Sequence, residues 1–171
     1  QVRTWTADGQ PEWMYGTHQD ITASKQSQED IAGSESLLRG AIDAVDEAFV
    51  LFDPDDKLVF CNEKYRQFYP RVAHLMVRGA SFESILQAGA ELGDYEHAVG
   101  RADEWVAERM AAHRRADTAL VQKLTDGRTL RVIERRMPDG HTVGFRIDIT
   151  DLVQAKEQAQ EASRIKGEFL A

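Results

Sequence analysis

The sequence lacks the features of secreted and membrane-spanning proteins. It contains one cysteine, Cys61, so no disulfide can form within the chain, and a reducing cytoplasmic setting is expected. No run approaches the roughly 20 consecutive apolar residues that a membrane span requires, and nothing resembles a signal peptide. The net charge of −8 argues against nucleic acids and anionic membrane surfaces as partners. We therefore predict a cytoplasmic chain without direct membrane contact.

Sequence motifs of common enzymes are also missing. There is no P-loop, GxGxxG, HExxH or GxSxG pattern, which predicts that the chain has no catalytic residues. The histidines and Cys61 lack the spacing of metal ligands, which predicts no metal site. We interpret the histidines as surface or helix-face residues. The alternative is a haem ligand, for which His74, His97 and His113 are the candidates.

The remaining composition is that of an ordinary globular domain with appendages. The 171 residues are 42% hydrophobic and 29% charged. The chain begins at Gln1, in the middle of a strand-like pattern, so we interpret it as a piece of a longer protein.

A strand that runs directly into a helix occurs twice. In VGFRIDIT, residues 143–150, apolar residues fall at every second position, which is typical of a strand. Thr150 is a suitable N-cap for the polar helical stretch that follows. The stretch YGTHQDIT, residues 15–22, repeats Gly, Asp, Ile and Thr at the same spacing, and a D-G turn precedes each copy.

These two copies resemble the end of a PAS domain, a sensor module of bacterial signalling proteins, whose last strand ends in D-I-T and enters a signalling helix. Antiparallel hairpins on both sides of a helical middle predict an α+β fold. The resemblance implies a five-stranded antiparallel sheet in the order 2-1-5-4-3, with helices on one face and a signalling helix at each end. It also implies that Asp148 and Thr150 relay a signal from strand to helix, with Asp20 and Thr22 in the earlier copy.

The start of the same domain carries a second part of the resemblance. The strand AFVLF, the turn DPDDK and the strand LVFC are followed by a short helix that Asn62 can cap. This order is similar to the opening of a PAS domain, in which Asp53 and Asn62 match the positions of the family's motif. Between the two parts we predict strands at 119–125 and 128–137, a helix capped by Ser81, and a helix at 95–115.

These patterns divide the chain into four segments. They are a hairpin at 1–22 that resembles the end of a preceding PAS domain, a linker helix at 23–45, the PAS domain at 46–150 and an exit helix at 151–171. The linker helix carries Ile31, Leu38 and Val45 at a spacing of seven, which predicts a partner helix.

The exit helix has the spacing of a two-stranded coiled coil. Its seam is predicted to consist of Leu152, Ala155, Ala159, Ala162, Lys166 and Phe169, and we therefore expect a parallel homodimer.

The last residues, KGEFLA, resemble the start of the dimerisation and phospho-acceptor helix of histidine kinases. The resemblance implies that the parent is a two-component sensor histidine kinase, with the phospho-accepting histidine and the kinase domains beyond Ala171 and a response regulator as partner. The alternative is a PAS module that regulates another output, such as a cyclic-dinucleotide enzyme.

No cofactor is predicted, and the sequence does not show whether the PAS pocket holds a small ligand. Cys61 lies in FCNEKY rather than in the cysteine motif of light-sensing relatives, and we interpret it as a small buried residue. Trp105 and Phe82 are interpreted as core residues. Four strand arginines are expected to pair with acids on the outer sheet face, or to bind an anionic ligand if they face inward: Arg131, Arg135, Arg136 and Arg146. Alternation does not show which face holds a pocket.

Overall fold

The computed structural model describes residues 3–9, 11–13 and 22–170. The chain forms two compact units, residues 1–38 and residues 39–171. In the first unit, the strands β1 (Arg3–Trp5) and β2 (Pro11–Trp13) pair as an antiparallel hairpin. Asp20 lies outside the described residues, and the assignment of the hairpin to a preceding PAS domain stays a prediction.

Helix α1 (Thr22–Asp43) has no buried residue. It begins at Thr22, so this threonine belongs to the helix and does not precede it as the predicted cap. It ends at Asp43, because the chain enters the first strand of the second unit a few residues later, and Val45 therefore lies outside the helix. Of the three apolar residues predicted at a spacing of seven, Ile31 and Leu38 lie in the helix and are exposed, and Val45 lies beyond its end.

The second unit is built on a five-stranded antiparallel sheet. Its strands are β3 (Ala48–Phe52), β4 (Leu58–Cys61), β5 (Asp117–Lys123), β6 (Thr129–Arg136) and β7 (Thr142–Asp148). They lie in the order β4-β3-β7-β6-β5, and every neighbouring pair is antiparallel. Numbered within the sheet, this is the order 2-1-5-4-3 that the PAS resemblance implied, and the fold prediction is confirmed.

Two glycines are required by the geometry of this sheet. Gly140, in the turn before β7, has a φ of 91°, which side chains rarely adopt. Gly144, inside β7, faces Val50 of β3 so closely that a Cβ would lie 2.9 Å from the valine Cγ1. Glycine at 144 therefore lets the central strands of the sheet pack together.

The helical layer lies between β4 and β5 in the chain. It consists of α2 (Glu63–Phe68), α3 (Phe82–Glu91), α4 (Ala102–Arg115) and short 3₁₀ turns at Ala73–Leu75 and Glu96–Ala98. The helix predicted at 95–115 is wrong at its start, because Gly100 takes a φ of 76° and separates the 3₁₀ turn from α4. Helix α5 (Thr150–Leu170) follows β7 with one residue between them.

The core lies between one face of the sheet and the helices. Val50, Phe52 and Leu130 of the sheet pack there with Phe82 and Trp105 of the helices, so both aromatic residues are core residues as predicted. The other core strands direct apolar side chains inward, but β7 directs Phe145 and its other apolar side chains outward. There the ring of Phe145 meets that of Phe49. The inward residues of β7 are Thr142, Gly144 and Arg146.

Candidate functional site

A cluster of ion-paired side chains lies in the core between the sheet and α4. Glu134 of β6 accepts two hydrogen bonds from Arg109 of α4, at 2.5 Å and 3.2 Å, and one from Arg146 of β7 at 2.9 Å. None of the three residues is more than 4% exposed. Because moving a single charge out of water costs several kcal/mol, these charges are tolerated only as partners of one another.

His113 of α4 joins this cluster to the turn between β3 and β4. Its Nδ1 lies 3.1 Å from Oε2 of Glu134, and its Nε2 lies 3.2 Å from Oδ1 of Asp56 in that turn. An ionised carboxylate can only accept hydrogen bonds, so Nδ1 carries the proton that it shares with Glu134. The imidazole therefore contacts two separate parts of the sheet at once.

The arginines decide the protonation state of Glu134. Burial by itself would raise the pKa of this carboxyl group. The charge of Arg146, the hydrogen bond from His113, and the charge and hydrogen bond of Arg109 together lower the pKa well below its ordinary value. Glu134 is therefore the permanent anion of the cluster at physiological pH.

Buried tyrosines fill the space beside the cluster. The hydroxyl of Tyr69 donates a hydrogen bond of 2.7 Å to Oε1 of Gln122. Burial raises the pKa of both Tyr69 and Tyr95, so their hydroxyls stay neutral. The cavity that these residues share with Arg109 and Arg146 has a volume of about 10 Å³, room for one water molecule. Both arginines that line this cavity are already bonded to the carboxylate of Glu134.

One interpretation from the sequence is wrong here. Arg146 was expected to pair on the outer face, but it is buried on the inner face, because β7 directs its apolar side chains outward; the other three strand arginines are exposed. His113 is a helix-face residue, on the core-facing side of α4, and both of its ring nitrogens face carboxylates, so neither is open to a haem iron. His74 and His97 are exposed, as the simpler interpretation required.

The positions of three charged residues in the sequence indicate this cluster. Glu134 alternates with Leu130 and Val132, which makes it a lone acid on an otherwise apolar strand face. Arg109 and His113 are four residues apart in α4, so they lie on one helix face. A lone acid and a cation on two core-facing surfaces predict a buried pair, because neither is stable alone.

The second candidate site is the junction of β7 with α5. The carboxylate of Asp148 accepts hydrogen bonds from the backbone N–H of Thr150 at 2.9 Å and from its hydroxyl at 2.5 Å. The same hydroxyl accepts a hydrogen bond of 2.9 Å from the backbone N–H of Thr129, the first residue of β6. Ile149 donates back to the carbonyl of Thr129, also at 2.9 Å. The first turn of α5 is therefore fixed to two strands.

This arrangement corrects one detail of the sequence interpretation. Thr150 was expected to be the N-cap of the exit helix, but it is the first residue of α5, and its hydroxyl bonds to Thr129 and Asp148. The first bond of the helix ladder runs from Val153 to the carbonyl of Ile149. Thr150 thus connects helix to sheet and does not satisfy an amide of its own helix.

Asn62 is the most extensively bonded of the residues predicted from the PAS motif. Its side-chain oxygen accepts hydrogen bonds from the amides of Phe49 at 2.9 Å and Tyr65 at 3.0 Å, and its nitrogen donates to the carbonyl of Glu47 at 2.9 Å. The bond to Tyr65 makes it the N-cap of α2, as predicted. Asp53 fixes the β3–β4 turn by accepting two backbone hydrogen bonds, each of 2.9 Å.

The residues of the predicted coiled-coil seam lie on the surface of this chain. No residue of α5 is buried, and Leu152 and Phe169 at its two ends are 68% and 89% exposed.

Cys61 is buried, as predicted. Burial raises the pKa of its thiol, which makes the thiol unreactive.

Neither a metal centre nor a membrane-spanning helix occurs in residues 3–9, 11–13 and 22–170. Within those ranges, no three or more His, Cys, Asp or Glu side chains are grouped so that they could hold a metal ion. No helix in the same ranges is both long enough and apolar enough to cross a membrane.

The chain is similar to several known proteins, of which three are described here. A non-motile and phage-resistance protein of Caulobacter vibrioides is 29% identical over 147 residues, which cover 86% of this chain and 16% of that protein. An RNA-binding light-oxygen-voltage receptor superposes over 95% of this chain and 42% of its own, with 20% identity and a TM-score of 0.46. The PAS domain of Bordetella pertussis BvgS superposes over 76% of this chain and 98% of its own, with 20% identity and a TM-score of 0.43.

The chain therefore spans less than a fifth of the curated relative that it matches. A sequence profile of the PAS fold matches residues 42–157, which include the five-stranded sheet, its helices and the junction with α5. This match extends over more than half of the chain and includes both candidate sites. The chain belongs to the PAS family.

Proposed function

We propose that this PAS domain is the sensing and relay module of a two-component sensor histidine kinase, and that it passes a conformational signal from its core to a dimeric exit helix. The observation that carries the proposal is the bond network of Thr150, which fixes the first turn of α5 to both β6 and β7. A shift of β7 moves the helix with it, because only one residue separates them, and a shift of β6 acts on the helix through the hydrogen bond between Thr129 and Thr150.

The proposed signal path begins at the buried cluster. Glu134 lies on β6 and Arg146 lies on β7, and these are the two strands that meet Thr150 at the junction. A change in the ion pairs therefore alters the relative position of the two strands to which the exit helix is attached. A seam of small residues such as Ala155 and Ala159 buries little area, so it can change its register for a few kcal/mol.

The assignment to a histidine kinase is supported by the sequence KGEFLA at residues 166–171. On this proposal the chain binds no ATP and phosphorylates nothing by itself, because its role is to regulate kinase domains in the parent protein. Autophosphorylation of the purified chain with labelled ATP would contradict this part of the proposal. A parent with a different output domain would leave the relay intact and change only the activity that it regulates.

Substitutions at the junction test the relay. Thr150→Val keeps the shape of the side chain and removes the hydroxyl that bonds to Thr129 and Asp148. We expect the isolated chain to melt within a few degrees of wild type and the full-length parent to lose its signal-dependent change in autophosphorylation. Asp151→Asn is the matched control, since Asp151 is an exposed acid in the first turn of the same helix. Normal switching by the Thr150→Val parent would exclude the junction as the relay.

A further inference from the structure

A buried histidine on α4 has one ring nitrogen without a hydrogen bond. The imidazole of His113 is fully buried and packs against the rings of Phe52 of β3 and Phe82 of α3, whose centroids are 5.4 Å and 4.3 Å away. Its Nδ1 carries a proton and lies 3.1 Å from Oε2 of Glu134. Its Nε2 lies 3.2 Å from Oδ1 of Asp56, but it makes no hydrogen bond to any residue that the structure describes. Buried polar atoms without partners are rare, so this nitrogen indicates a second state of the contact.

The two protonation states of His113 differ in how Nε2 meets the carboxylate of Asp56. When the ring is neutral and Nδ1 carries its proton, Nε2 is an acceptor. An acceptor that faces an ionised carboxylate is repelled, because neither group can donate. When the ring takes up a second proton, Nε2 becomes a donor, and the imidazolium forms a charge-assisted hydrogen bond with Asp56. One proton therefore converts a repulsive contact into an attractive one.

Acids and arginines both surround the ring, so no single neighbour fixes its charge. Glu134 of β6 and Asp56 of the β3–β4 turn face its nitrogens and favour the cation. Three arginines near these acids favour the neutral ring: Arg109 of α4 and Arg146 of β7, which bind Glu134, and Arg114 of α4, whose Nε lies 3.8 Å from Oδ2 of Asp56. The neighbours from β3 and α3 are uncharged aromatic rings.

Asp56 connects the ring both to solvent and to the start of α3. Its side chain is 20% exposed, so a proton can reach the buried nitrogen along it. Its carbonyl accepts a hydrogen bond of 2.9 Å from the amide of Phe82, the first residue of α3. Its φ is 57°, which is uncommon for residues other than glycine. A hydrogen bond from His113 would therefore stabilise both an unusual turn and the start of the helix attached to it.

We propose that His113 and Asp56 form a proton-dependent contact that joins α4 to the β3–β4 turn. A proton taken from water binds to Nε2 and forms the hydrogen bond to Asp56, and its return to water breaks that bond. Glu134 stays ionised in both states, so its bonds to Arg109 and Arg146 persist. An effect on kinase output rests on the proposed relay function, whereas the proton-dependent contact itself does not.

NMR of the whole isotope-labelled chain tests the proposal, because the ring nitrogen shifts report how many protons His113 carries. Between about pH 8 and pH 5, where carboxylates ordinarily stay ionised, Nε2 is expected to gain a proton while Nδ1 keeps its own. The amides of Asp56 and Phe82 should shift with the same midpoint, and their hydrogen-exchange protection factors should rise about tenfold as the proton binds. A ring that carries the same number of protons throughout this range, or amides that do not respond, would overturn the proposal.

A variant of the turn and its control test whether Asp56 is the partner. Asp56→Asn removes the charge, and asparagine also tolerates a positive φ. It should remove most of the pH-dependent rise in the protection of the Phe82 amide. Asp55→Asn removes the neighbouring exposed acid of the same turn and should keep that rise. Equal rises in the two variants would overturn the contact with Asp56. The test uses no kinase activity, so a failed relay at Thr150 does not affect it.

Discussion

The buried carboxylate of Glu134 holds the guanidinium group of Arg146 at 2.9 Å, and this ion pair joins two neighbouring strands on the core side of the sheet. Arg109 binds the same carboxylate from α4. The sheet and its covering helix are thus held together by charge at a position where most cores use apolar contacts. Because both arginines depend on one acid, Glu134 is the residue whose loss has the largest predicted effect.

Removing the acid should strongly destabilise the domain. Glu134→Ala leaves Arg109 and Arg146 buried without their anion, and breaking a buried pair in this way costs about 3–5 kcal/mol. The free energy of unfolding from urea denaturation measures this loss. Glu108→Ala is the control, because Glu108 pairs with Arg101 on the surface, where its removal should leave the denaturation midpoint almost unchanged.

Replacing the whole cluster should be far less damaging than removing its acid. The triple variant Arg109→Met, Glu134→Leu, Arg146→Met removes the charges together and fills similar volume with apolar atoms. We expect it to be more stable than Glu134→Ala. If the triple variant is as unstable as the single one, hydrogen bonds and shape determine the stability of this region, and charge compensation does not.

Acid should remove the contribution of Glu134 to stability. Its pKa in the folded state lies well below the ordinary value of 4.5, so folding favours the ionised form. The contribution is complete above about pH 4.5, declines as the pH falls below that value, and is lost as the pH falls through the folded-state pKa. Unfolding free energies between neutral pH and about pH 3 should therefore decline less steeply for Glu134→Gln than for the wild type. Parallel curves would contradict this prediction.

Asn62 should be more important for stability than its size suggests. Asn62→Ala removes the cap of α2 and leaves the amide of Phe49 unbonded, which we expect to cost about 2–3 kcal/mol. Asn62→Asp keeps the accepting oxygen and should fall between alanine and wild type. Ser81→Ala is the control, since Ser81 occupies the N-cap position of α3 and its side chain makes no capping bond. Chemical denaturation of the three variants compares these costs directly.

The dimer prediction can be tested by disulfide crosslinking along α5. In a parallel coiled coil, Leu152→Cys places two equivalent seam cysteines beside each other near the start of the helix. Glu157→Cys places the cysteine on the outer side of the same helix and serves as control. We expect rapid crosslinking of the first variant and little of the second under mild oxidation. Crosslinking at neither position, or a monomer by light scattering at high concentration, would contradict the parallel dimer.

Much of the architecture follows from local sequence. The strands AFVLF and LVFC have the predicted bounds, because a turn rich in Asp and Pro separates two short apolar runs. The cap at Asn62 and the D-G turn at Gly140 were also predictable, since one depends on a nearby amide and the other on a positive φ. The α+β class followed from antiparallel hairpins around a helical middle, and the sheet order came from the PAS resemblance carried by the D-I-T repeat and the opening motif.

The partners of buried charges were decided by the tertiary structure. Strand periodicity places Arg146 on one face of β7 but does not show which face meets the helices, because apolar residues on β7 cover the outer face. The contacts of Arg146 with Glu134, and of Glu134 with Arg109, join residues 12 and 25 positions apart. Likewise, the sequence identified Thr150 as a capping residue, but its bond to Thr129 depends on β6 lying beside β7. Short-range propensities therefore determined the elements, and only their packing determined where each charge and hydroxyl finds its partner.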